Sequence, residues 1–151
     1  MPDRSETERV RTMIRTAIAT AALLVLPGVA SASDDSAAVV AEFYEAVRTA
    51  DADKLGNVLA DDAVIRLGDL GFDMTGEEFI ESMAEWETVA KDMTMRVKPD
   101  PDATDTDETV IRLVCYEFPS NTSMTRETTT VVDGKITANM QDEIAESCEG
   151  F

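Results

Sequence analysis

The apolar residues of this chain change period once, and that change decides its class. Val40, Phe43, Tyr44 and Val47 fall at i, i+3, i+4 and i+7, one stripe of a helix beginning near Ser36. Asp51 suits an N-cap, and Leu55, Val58 and Leu59 give a short second helix its buried side. Phe79, Met83, Trp86 and Ala90 form the stripe of a third helix, opened by Thr75-Gly76-Glu77-Glu78 with the spacing of a capping box. From Met93 the spacing becomes two: Met93, Met95 and Val97 face one way, Thr94, Arg96 and Lys98 the other. Thr109 to Phe118 is apolar on both faces apart from Arg112 and Glu117 and reads as the central strand. Met124 to Val132 and Lys135 to Ile144 are two more strands, joined by the two-residue turn Asp133-Gly134. Ahead of the third helix, an acidic corner at Asp61-Asp62 precedes a strand over Ala63 to Leu67, and Phe72 to Met74 forms a brief second one. The class is therefore α+β, with helices in the first half and long antiparallel strands in the second.

Length and charge narrow what such a domain can do. The chain has 151 residues, enough for one domain, and a net charge of −18 with no histidine. Lacking histidine, it cannot run Ser-His-Asp or Cys-His chemistry or build a histidine-bearing zinc site. Nucleic acid is disfavoured as a partner, because the nine basic residues after position 32 form no cluster that could neutralise phosphates. The acidic run PDPDATDTDE from Pro99 to Glu108 invites calcium, but a calcium loop counted from Asp100 would need glycine and glutamate where Asp105 and Ile111 stand. It reads as a solvated hairpin loop, and no metal or cofactor is expected.

The beginning of the chain reads as a secretory leader. Arg4, Arg9, Arg11 and Arg15 precede an apolar run from Ala17 to Leu26, Pro27-Gly28 break it, and Ala30-Ser31-Ala32 offers a small-residue cleavage site. That run spans about ten residues, against the roughly 20 of a membrane-spanning helix, so no permanent anchor is expected. Met13 opens a leader of more usual proportions than Met1 does. Cleavage after Ala32 would leave nine basic and 28 acidic residues, a net charge of −19, in a single domain over residues 33–151 with a short acidic linker at Ser33 to Ser36. In a periplasmic or secreted protein, Cys115 and Cys148 are expected to pair.

Phe43 to Leu55, FYEAVRTADADKL, followed by LADDAV from Leu59 to Val64 and by Gly76 before the long helix, resembles the nuclear transport factor 2-like superfamily, including its SnoaL-like and ketosteroid isomerase-like domains. The resemblance covers about residues 36–144 and implies a curved antiparallel sheet wrapped by three helices into an open cone, a cystatin-like roll. It implies nothing specific about activity, because that fold carries enzymes and binding modules alike. Set against the ketosteroid isomerases, the tyrosine of the first helix falls at Phe43, one residue before Tyr44. The aspartate base falls at Leu67 and the second aspartate near Thr128. None of the three matches.

The resemblance also implies a cavity lined by Arg126, Thr128 and Thr130 from one strand and by Asn139 and Gln141 from the next. Hydrophobic period in that last strand instead turns Ile136, Ala138 and Met140 inward. Phe43, Tyr44, Leu67, Trp86, Tyr116, Arg126, Thr128 and Asn139 are the expected ligand-binding residues. Asp69 and Asp73, the acids nearest the expected mouth, are the candidate catalytic residues of the enzyme reading. Three readings follow: a domain binding a small, mostly apolar ligand without catalysis, an enzyme of the cyclase, dehydratase or isomerase kind, and a homodimeric interaction module.

Overall fold

The protein's computed structural model describes residues 32–151, apart from the side chains of Ala32, Ser33 and Asp69. Of the leader expected over residues 1–32, all but Ala32 lies outside the described residues. Helix α1 (Ala32–Thr49) buries the stripe read from the sequence, with Val40, Phe43, Tyr44 and Val47 all in the core. It starts earlier than Ser36, so the segment expected as a linker is helical. Asp34 and Asp35 occupy its first turn, where the helix dipole favours negative charge.

α1 ends on Ala50, which adopts a left-handed φ of 52°. The Ala50 amide donates to the Val47 carbonyl at 3.2 Å and the Asp51 amide to the Ala46 carbonyl at 2.8 Å, the paired bonds of a Schellman cap. Asp51 then caps α2 (Ala52–Val58) by accepting from the Lys54 amide at 2.9 Å. Two helices are thereby joined through a turn too short to vary.

Strand β1 (Leu59–Leu67) is longer than expected. Asp61 and Asp62 lie within it, exposed, where its pairing with the neighbouring strand lapses between Leu59 and Val64. A 3-10 turn (Gly68–Leu70) leads to β2 (Phe72–Thr75), and α3 (Gly76–Ala90) follows with the expected capping box between Thr75 and Glu78. Gly76 lets α3 approach β1 closely, since a Cβ there would stand 3.2 Å from that of Ala63.

The remaining strands are β3 (Thr94–Pro99), β4 (Thr109–Glu117), β5 (Thr122–Val132) and β6 (Lys135–Ala145). All six form one sheet in the order β2-β1-β6-β5-β4-β3. The sheet is mixed and not purely antiparallel, because β1 runs parallel to β6 while every other pair is antiparallel. A hairpin made at Asp133 and Gly134, both with positive φ, returns β6 beside β5. Strand β1 arrives from the helical half and pairs with whichever direction β6 presents.

β4 is not central; β6 and β5 are, and β4 lies one strand from the edge. Its apolar outer face has another cause. The C-terminal tail crosses that face, tied by a Cys115–Cys148 disulfide, by a bond from Lys98 to the Gly150 carbonyl and by Phe151 under the Arg96 and Lys98 side chains. The loop between β3 and β4 is likewise more than a solvated turn. Asp100 is buried and accepts from Arg126 at 2.5 Å, and Asp105 accepts from Arg112 at 2.8 Å and from the Ile111 amide at 2.9 Å.

Candidate functional site

A cavity of about 590 Å³ opens at one end of the cone, between α3 and the concave face of the sheet. Apolar walls come from Leu67 at the end of β1, Met74 on β2, Phe79, Met83, Trp86 and Val89 on α3, and Tyr116 and Phe118 at the end of β4. Polar groups are few: Ser82, Glu85, Ser123, Thr125, Gln141 and Glu143. The Trp86 indole N–H donates to the Val47 carbonyl at 2.8 Å, which anchors the ring in the cavity wall. Tyr116 and Phe118 lie nearly parallel with centroids 6.2 Å apart, and Trp86 stands edge-on to Phe118 at 6.3 Å, so three rings form one corner.

Glu127 lies below the cavity, on β5, with no exposed surface. Its Oε1 accepts from the Tyr116 hydroxyl at 2.8 Å and the Thr125 hydroxyl at 3.0 Å. Oε2 accepts from the Tyr44 hydroxyl at 3.1 Å and the Asn139 amide at 3.5 Å. Asn139 also donates to Thr129 at 2.9 Å and accepts from Gln141 at 3.0 Å. Four donors fill the lone-pair directions of one carboxylate, and among the described residues no buried side-chain nitrogen or oxygen lacks a partner.

Burial pushes the Glu127 carboxyl above its ordinary value, against the pull of the hydroxyl and amide donors. The same burial, with the Glu127 charge alongside, pushes both tyrosine hydroxyls well above theirs, so they remain donors. Tyr116 and Thr125 touch the cavity on one side and Glu127 on the other. The carboxyl itself is sealed from the cavity.

Of the residues expected from sequence, Leu67, Trp86, Tyr116 and Gln141 line the cavity. Phe43 does not; it is buried against Phe79, with centroids 6.0 Å apart. Tyr44 and Asn139 lie beneath, spent on Glu127 and Thr129. Arg126 and Thr128 are on the outer face of β5, where Arg126 holds Asp100, because Thr125, Glu127 and Thr129 are the residues that alternate inward. Thr130 shares the outward face with them. Asp73 is exposed and paired with Arg66 at 2.7 Å, which holds its carboxyl below the usual range. The Asp69 side chain lies outside the described residues.

Glu127 itself was not among the expected residues. The ungapped comparison named Phe43 and Thr128, and the residues that turn inward and meet are Tyr44 and Glu127, each one position away. The conflict over β6 also has a physical resolution. Val131 pairs with Ile136 but Thr130 pairs with Ala138, so Thr137 is an extra residue, a bulge that changes which side faces in. Ile136 therefore enters the core before it, and Asn139 and Gln141 turn inward after it, while Met140 is exposed.

No family model and no curated protein matches the sequence. Solved structures do match it. A nuclear transport factor 2-like protein of unknown function from Mesorhizobium loti superposes with a TM-score of 0.62 at 14% identity, covering 78% of this chain and 97% of that one. A candidate ketosteroid isomerase from Kribbella flavida does so with a TM-score of 0.59 at 13% identity, over 78% and 84% of the two chains. IdmH from Streptomyces antibioticus, a candidate polyketide cyclase, gives 0.58 at 21% identity, over 72% and 91%. The chain has the nuclear transport factor 2-like fold.

Proposed function

We propose that this nuclear transport factor 2-like domain binds a small, mostly apolar molecule in its cone, without transforming it. The observation that carries the proposal is the 590 Å³ cavity, bounded by aromatic and aliphatic side chains and by only a few polar ones. That volume and that kind of wall are typical of small-ligand sites. A general base must reach the proton it removes. Leu67 stands at the position the resemblance gives to the base, and Glu127, the one acid without exposed surface among the described residues, is covered by Tyr116 and Thr125. Its four hydrogen bonds are those of a group that holds β4, β5, β6 and α1 together.

We also place the domain outside the cytoplasm. The leader pattern before Ser33 and the Cys115–Cys148 disulfide both support export. The test of binding is native mass spectrometry of the purified protein. A co-purified small molecule, released by Trp86→Ala, is the expected result; a ligand-free dimer whose partner copy occludes the cavity would replace this reading with an interaction module.

A further inference from the structure

The walls of the cavity carry one sign of charge. Glu85 on α3 and Glu143 on β6 line it with exposed side chains, Glu143 accepting from the Ser123 hydroxyl at 2.6 Å, and no lysine or arginine lines it among the described residues. The basic residues among the described ones are engaged elsewhere. Of the chain's 13, four precede Ala32, leaving nine. Arg48, Lys54, Arg66, Lys91, Arg96, Arg112 and Arg126 each pair with a carboxylate. Lys98 donates to the Gly150 carbonyl, and Lys135 donates to the Asn57 carbonyl. A carboxylate or phosphate carried into this cavity would give up its water and find no counter-charge, a cost that apolar burial of the rest of the molecule would have to offset.

A cation finds the reverse. Trp86, Tyr116 and Phe118 give one corner of the cavity an aromatic lining, and the two exposed glutamates supply formal charge beside it. Neither feature alone would identify a ligand. Together, in one apolar cavity, they discriminate by charge.

From this arrangement we infer that the ligand is an apolar molecule bearing an amine or quaternary ammonium group, its hydrocarbon part in the cone and its cation between the aromatic corner and Glu85 and Glu143. The inference rests on the binding function proposed above and names the chemical class that function serves. The surrounding acidic surface would draw such a molecule in from solution, and the cavity would hold it.

The test is a matched series of probes, decylammonium, decanol and decanoate, competing at neutral pH and moderate salt with a neutral fluorescent amine, N-phenyl-naphthylamine. Decylammonium should bind about tenfold more tightly than decanol, with decanoate weakest. Glu85→Gln combined with Glu143→Gln should erase the preference for decylammonium over decanol. Asp61→Asn with Asp62→Asn, which removes the same charge away from the cavity, should leave it. Equal binding of decanoate and decylammonium, or equal loss of preference in both double variants, would overturn the inference while leaving apolar binding intact. Failure of all three probes to bind would overturn both.

Discussion

The Tyr44 hydroxyl meets the Glu127 carboxylate at 3.1 Å across 83 residues of sequence, joining the first helix to the fifth strand inside the core. Removing that hydroxyl leaves a buried acceptor short of one donor. Tyr44→Phe should therefore destabilise the fold by about 1–3 kcal/mol in urea unfolding, more than the loss of an exposed hydrogen bond. An unchanged midpoint would mean that the bond contributes nothing to stability.

Glu127 also gives stability a pH dependence whose sign is fixed by its burial. The carboxyl titrates above its ordinary 4.5 in the folded protein, so folding favours the protonated form. Its contribution is fully present below about 4.5 and is lost as pH rises through the raised folded value. The stability of the native chain relative to Glu127→Gln should fall over that window and then level off. A difference that rises with pH would show that the four donors outweigh desolvation.

The disulfide ties the tail across the outer face of β4, closing a loop with a sequence separation of 33. Cys148→Ser should cost about 3–4 kcal/mol in the chain-entropy treatment of such a loop. Protein recovered from a bacterial periplasm should begin at Ser33 and carry no titratable thiol when denatured without reductant. Two thiols, or an uncleaved mass, would contradict the pairing or the export.

The regular parts of the fold were legible because each depends on local pattern. The stripe of α1, the Thr75–Glu78 capping box and the Asp133-Gly134 turn all lie where the spacing puts them. The inward face of β5 was not legible, because in TSMTRETTTVV every residue from Thr125 to Thr130 is polar and alternation has nothing to report there until Val131. Counting back by twos from Val131 through Thr129 would have reached Glu127. The bulge at Thr137 leaves no composition signal, yet it decides that Asn139 and Gln141, not Met140, turn inward.

With nine basic and 28 acidic residues after Ala32, repulsion should oppose folding at low ionic strength. The melting temperature should rise with sodium chloride, as the Debye length falls from about 30 Å at 0.01 M to about 3 Å at 1 M. A falling curve would show that attraction within the ion pairs dominates.

The protein should not isomerise β,γ-unsaturated ketones above the rate in buffer. Leu67 cannot abstract a proton, and the hydroxyls of Tyr44 and Tyr116 donate to Glu127 instead of to a developing oxyanion in the cavity. Turnover abolished by Glu127→Gln would promote that acid from scaffold to catalyst.

Titration with N-phenyl-naphthylamine tests the central claim most directly, comparing the native chain with Ser82→Trp, which places a bulky side chain into the cavity from α3. The account predicts saturable fluorescence enhancement at one probe per chain, lost in Ser82→Trp while its melting temperature stays close to that of the native protein. Absence of saturable binding, or equal binding by a folded Ser82→Trp protein, would contradict it.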